Sequence, residues 1–254
     1  MYIDRRSFLK LTALGLLALA AKPALDLISK PAAASALNGL IAGKRMAMVI
    51  DLNVCTALDG CVDCIAACHR VHNVPDIGNR KEEIKWLWEV GYNQAFPDQE
   101  NKFAPEPLQD RRVLVLCNHC DNPPCVKVCP TQATWKRDDG IVMMDYHRCI
   151  GCRYCMAACP YGSRSFNWRD PRPYIKDIEQ GYPTRTKGVV EKCNFCEERL
   201  ADGLQPACVE ACTSGALKFG DLKSGTEVHS LISSEFSLRR KAELGTLPQV
   251  YYVL

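Results

Sequence analysis

Apolar residues in this chain come in short runs rather than in long periodic stretches. Residues 46–51, 112–116, 188–191, 215–219 and 248–253 are brief β-rich runs, each read as a strand. Residues 133–137 and 141–145 flank Asp138-Asp139-Gly140 and predict a hairpin on an Asp-Gly turn. The stretch 81–90, KEEIKWLWEV, predicts a short helix or strand with Trp86 and Trp88 on an apolar patch, suited to core packing or a subunit contact. Asn, Pro, Gln and Asp across 91–110 predict a surface loop, and the Arg, Pro and Tyr of 161–187 an extended connection. Helical spacing marks 197–207, turning at Gly203, and 228–244. The apolar stretch 11–21 ends at Lys22-Pro23, short of the roughly 20 residues of an ordinary membrane-spanning helix.

Several of these runs lead into cysteines. Sixteen cysteines among 254 residues form four groups of four with none left over. Cys149, Cys152, Cys155 and Cys159 follow C-x2-C-x2-C-x3-C-P, the bacterial signature of cubane iron–sulfur clusters. Cys117, Cys120, Cys125 and Cys129, with Pro130, form a looser copy. Cys55, Cys61, Cys64 and Cys68 have a first gap three residues wider than that signature. Cys193, Cys196, Cys208 and Cys212 carry an eleven-residue insertion, and Thr213 replaces the terminal proline. Three closely spaced thiolates can bond three irons of one cube, while the fourth cysteine, redirected by proline, points to a second cube. Pairs of such runs therefore share ligands. His69 and His72 follow Cys68; cysteine already fills each ligand place, so they take surface or supporting roles.

Charge supports the same chemistry. The formal net charge is +3, but residues 1–34 hold five basic and two acidic residues, so the remainder is neutral. Sixteen thiolates on four cubane cores would add roughly eight negative charges. Such a loaded chain is acidic and no nucleic-acid binder. Lys127, Arg148, Arg153 and Lys192 lie near cysteines and either raise local potentials or are simply solvated, the ordinary state for each.

Asp4-Arg5-Arg6-Ser7-Phe8-Leu9-Lys10 resembles a twin-arginine export signal, and Ala32 to Ala36 offers a cleavage site near 34–36. The segment 1–36 is expected to be this signal, cleaved or retained as an anchor; a short amphipathic helix is the plain alternative. Exported thiols ordinarily form disulfides. The twin-arginine route resembles one that exports folded, cofactor-loaded proteins, which removes that conflict.

With these motifs in place, the chain over residues 46–254 resembles the four-cluster iron–sulfur subunits of membrane-bound respiratory oxidoreductases, such as dimethyl sulfoxide, polysulfide and tetrathionate reductases. The resemblance implies an α+β fold of two dicluster ferredoxin-like units with internal pseudo-symmetry, loop insertions and a C-terminal extension. Residues 46–110 and 186–254 would form the outer unit, and 111–185 the inner. It implies four [4Fe-4S] clusters: a first on Cys55, Cys61, Cys64 and Cys212, and a second on Cys68, Cys193, Cys196 and Cys208. A third would take Cys117, Cys120, Cys125 and Cys159, and a fourth Cys129, Cys149, Cys152 and Cys155. The twin-arginine start, the widened first group, His69-x2-His72-Asn73-Val74-Pro75 and KEEIKWLWE look, more narrowly, like the extracytoplasmic iron–sulfur subunit of the sulfite-reduction-associated, heterodisulfide-reductase-like menaquinol oxidoreductase complex. That resemblance implies a multi-spanning quinone-binding membrane subunit and a multihaem cytochrome c as partners, in a hetero-oligomer on the periplasmic face.

No nucleophile–base pair, P-loop or dinucleotide fingerprint stands in the chain. The expected role is electron transfer within an oxidoreductase complex, with no catalysis by this chain alone. Service to an exported molybdopterin reductase is the alternative within that class. An exported module held by disulfides or zinc is the alternative from another class.

Overall fold

The computed structural model describes residues 43–57, 60–99 and 111–254. The twin-arginine-like segment and residues 100–110 of the expected loop lie outside the described residues. Ten strands follow in order: β1 (Met46–Asp51), β2 (Leu87–Gly91), β3 (Arg112–Leu116), β4 (Thr134–Lys136), β5 (Val142–Met144), β6 (Ser165–Phe166), β7 (Val190–Glu191), β8 (Leu217–Asp221), β9 (Ser237–Leu238) and β10 (Val250–Val253). The largest sheet has the order β8-β1-β10-β9. In it β1 pairs antiparallel with β8 (Ile50 opposite Leu217) and parallel with β10 (Ile50 opposite Tyr252).

The sequence of β1 follows from that position. Met48 and Ile50 enter the main core, while Ala47 and Val49 pack with Val228 and Val253 on the other face. A strand covered on both faces reads as a continuous apolar run. The antiparallel ladders β2–β3, β4–β5 and β6–β7 complete the sheet content. In β4–β5, Gly140 takes φ +86°, and its N–H donates to Arg137 O over 3.0 Å. This is the expected hairpin.

Other expectations need correction. The helical pattern at 228–244 is a helix only over Glu227–Ser234, after which Leu238 pairs with Tyr252 at the sheet edge. Cross-strand pairing outweighs local helical spacing there. The expected loop at 91–110 begins as the end of β2 and a short helix, Tyr92–Ala95, because Tyr92, Ala95 and Phe96 are buried against the core. The connection 161–187 contains β6 and a 3-10 turn, Arg172–Tyr174. Trp86 is fully buried, so it serves the core and no subunit contact.

The β2–β3 ladder crosses 110/111 and the β6–β7 ladder crosses 185/186. One core joins Met48, Leu116, Ile141, Leu217 and Tyr252, and Gly43–Leu254 forms one unit. Among the described residues, no helix is long and apolar enough to cross a membrane.

Candidate metal centres

The cysteine groups repeat local devices. In three of them the residue before the second thiol of the C-x2-C step is left-handed: His119 (φ +40°), Gly151 (+70°) and Phe195 (+59°). Such turns direct successive N–H groups to one side, a concavity suited to anionic sulfur; Phe195 N–H donates to Cys193 Sγ over 3.4 Å. Gly151 is also needed for space, since a Cβ there would lie 2.4 Å from Gly188 O. Short helices then carry Cys64 and Cys68, Cys125, Cys155 and Cys208.

A turn follows the last cysteine of three groups: Gln132 N–H to Cys129 O, Gly162 to Cys159 and Gly215 to Cys212, over 3.1–3.4 Å. Each donor residue has positive φ. Pro130 and Pro160 suit the position they hold in such turns. Thr213 holds it equally, which explains how the fourth group dispenses with proline. Burial opposes ionisation of Cys129 and Cys212, but hydrogen bonds from the turn prevail and lower both thiols. The donors include the Thr131 hydroxyl at Cys129 and the Ser214 hydroxyl at Cys212.

All sixteen cysteines are unbridged. They come together in four sets. Cys129, Cys149, Cys152 and Cys155 line one hollow, and Cys117, Cys120, Cys125 and Cys159 line another. Burial, then Cys212 and Cys61, pushes the Cys55 thiol up to about 11. Burial, then Cys55, Cys212 and Cys61, pushes Cys64 up to about 12. Cys68 is raised by burial and then by Cys193, Cys208 and Cys196. Neighbouring sets also feel one another's charge. Cys64 acts on Cys68 and Cys208, Cys117 on Cys193, and Cys125 on Cys155. These couplings string the sets in the order first, second, third, fourth.

Three buried polar groups stand beside these sets, and of them only Arg164 escapes sequence reasoning. His72, 1% exposed, is not at the surface: Nδ1 donates to Cys68 O over 2.9 Å and Nε2 to Glu198 over 2.8 Å. Burial works against its charge, but Cys196 and Glu198 prevail and lift it to about 9. His72, Cys196 and Glu198 offer ligand atoms within 4.8 Å of one another, yet Cys196 already belongs to a thiol set. Lys127, Arg148 and Arg153 are exposed, but Lys192 is fully buried, which corrects its reading as solvated. Its Nζ donates to Val142 O and, over 2.8 Å, to Cys193 O. Arg164, 4% exposed, donates to Cys125 Sγ over 3.1 Å and to Thr134 Oγ1 over 2.8 Å. No motif marks it; its only sequence signal is a position five residues after Cys159.

Further out, Arg185 and Glu191 form an ion pair of 2.7 Å with side chains 1% and 0% exposed. Arg185 also donates to His72 O and Asn73 O, and Glu191 accepts from Trp86 Nε1 and Asn167 Nδ2. This network ties the first cysteine group to the fourth.

Four thiols converging on a hollow fit a thiolate-held [4Fe-4S] cube. One zinc ion, with Zn–S of about 2.3 Å, would draw four sulfurs to within about 4 Å of one another, whereas among the described residues no three cysteine sulfurs lie within 4.8 Å of one another. Known proteins carry the same pattern. The 4Fe-4S dicluster domain matches residues 113–174 and 173–222. The chain is 40% identical over 233 residues to the Hdr-like menaquinol oxidoreductase iron-sulfur subunit 1 of Archaeoglobus fulgidus, covering 82% of this chain and 83% of that one. It is 39% identical to the menaquinone reductase iron-sulfur cluster-binding subunit of Nitratidesulfovibrio vulgaris, covering 82% and 88%. It is 34% identical to a polysulfide reductase polypeptide of Wolinella succinogenes, covering 83% and 94%.

Proposed function

This chain belongs to the family of 4Fe-4S iron–sulfur subunits of respiratory oxidoreductases, and from that premise we propose that it carries electrons between a quinone-linked membrane subunit and a second redox partner. In this reading the four thiol sets hold four [4Fe-4S] clusters with the ligands named above. When bound, such clusters exchange single electrons while keeping their ligands. The chain's own part is to hold the sets in line, keep water from the buried ones and offset their charge. The outer unit contributes the first and second sets, and the inner unit the third and fourth.

The observation that carries this reading is the gathering of sixteen free thiols into four sets, each electrostatically coupled to the next. Likeness to the two relatives named for menaquinol and menaquinone favours a menaquinone-linked complex; a menaquinol-oxidising direction and a multihaem cytochrome c as the other partner rest on the narrower family resemblance alone. Likeness to the polysulfide reductase polypeptide favours a reductase of that kind as the second reading, which the family resemblance makes a molybdopterin enzyme. Placement on the periplasmic face follows from the twin-arginine motif.

Purification from membranes in mild detergent separates the readings. The expected preparation is brown, holds about sixteen iron atoms per chain, and brings along a multi-spanning subunit and haem. Molybdenum without haem selects the second reading. A colourless chain without iron overturns both.

A further inference from the structure

The surroundings of the four thiol sets differ in fixed charge. Arg164 is buried, its guanidinium cannot deprotonate, and among the described residues no carboxylate pairs with it. Arg185, equally deep, has Glu191. A buried cation without an anion is costly, and the anions within reach of Arg164 are the thiolates of Cys125, Cys155 and Cys117. Lys192 is as deep and also lacks a carboxylate partner among the described residues; burial works against its charge, which the thiolates of Cys117, Cys193 and Cys125 support. Its Nζ meets only carbonyl oxygens, one of them that of Val142, which lines the Cys117/Cys120/Cys125/Cys159 hollow. Both cations therefore bear on that third set. The second set has Lys192 beside Cys193, and also His72, whose charge Glu198 balances. The fourth set has Arg164 through Cys155. The first has Asp51 and Glu89 near Cys55, charges of the opposite sign.

Resting on the reading that the thiol sets hold clusters, we propose that Arg164, reinforced by Lys192, makes the Cys117/Cys120/Cys125/Cys159 site the most oxidising station of the line. Fixed cations in a low-dielectric interior stabilise an added electron. An electron entering from either end settles at this internal site before moving on, so the line is a well and no simple ramp.

The test is a redox titration of the full chain in its complex, followed by paramagnetic resonance with iron counts. The signal lost in Cys120→Ala identifies the third site, and it should have the highest midpoint. Arg164→Met should lower that midpoint so that, at the wild-type value, the reduced-to-oxidised ratio falls about tenfold, equivalent to about 59 mV for one electron. Arg164→Lys, which keeps the charge, should restore most of it. Lys192→Met should shift the same signal in the same direction and disturb the first site least. The proposal is overturned if another site has the highest midpoint, if Arg164→Met leaves the third unmoved or shifts all four alike, or if Arg164→Lys behaves as Met. Should Arg164→Met lose its iron, an unshifted third signal in iron-loaded Lys192→Met overturns it instead. A wild-type chain without iron sinks the electron-transfer reading itself, whereas four clusters with a different order of midpoints sinks only this inference.

Discussion

Replacing Glu191 by Gln should be among the most damaging single changes outside the cysteines. The substitution keeps the shape of the side chain but removes the charge facing Arg185 at 2.7 Å, where both side chains are essentially inaccessible. Breaking a buried ion pair by neutralising one partner costs about 3–5 kcal/mol, because the other charge stays buried and uncompensated. The Trp86 and Asn167 donors are left with a weaker acceptor, so the upper part of that range applies. For a domain of this size about 2–4 °C is lost per kcal/mol, giving a fall of roughly 8–20 °C in the thermal midpoint. Anaerobic melting followed by circular dichroism and by visible absorbance would measure it. Arg185→Met combined with Glu191→Leu should recover only part of the loss: it removes the unpaired charge but leaves the Trp86 and Asn167 donors and the His72 and Asn73 carbonyls without their partners. Asp170→Asn, which breaks the exposed Arg172–Asp170 pair, should leave the midpoint where it is. Equal shifts for Glu191→Gln and Asp170→Asn would refute the reasoning.

Other outcomes can be checked as directly. Gly151→Ala should cost about 1–3 kcal/mol and deplete iron at the Cys129/Cys149/Cys152/Cys155 site, because a Cβ at φ +70° meets the Gly188 carbonyl. In the iron-free chain at mildly alkaline pH, a thiol-alkylating reagent read by peptide mass should label Cys129 and Cys212 first. Their thiols are lowered, so they ionise at lower pH, whereas burial and then neighbouring thiols push Cys64 and Cys120 up to about 12; labelling in the reverse order would contradict the turn geometry. Arg5→Lys with Arg6→Lys should leave an iron-loaded chain in the cytoplasm; normal export of that variant, by cell fractionation, would remove the twin-arginine reading.

Most of the strands and the cysteine groups were legible because each has a local cause: short β-branched runs, an Asp-Gly turn, fixed thiol spacings; β6 and β9, of two residues each, were not. The end of the helix at Ser234 was not, because it is set by the pairing of Leu238 with Tyr252. Nor were the buried cations legible. Lys192 adjoins a cysteine, as exposed Arg148 and Arg153 do, and only the fold buries it between Val142 and Cys193. His72 was visible as a residue near Cys68, but the Glu198 that partners it lies 126 positions away. Local pattern reports which atoms can bind metal; the charge around them is a tertiary property.

The pairing of β1 with both β8 and β10 bears on biosynthesis. The chain emerges from the ribosome N-terminus first, and domains fold as their parts become available. Cys117 to Cys159, the whole of the two inner thiol sets, emerge within a short span. Cys55, Cys61 and Cys64 must wait for Cys212, and β1 stays without either sheet neighbour until Leu217 and then Val250 have been made. Long-range pairing of this kind closes late. A chain cut short before its last strand thus presents an unpaired apolar edge, and one cut before Cys212 an open thiol set as well.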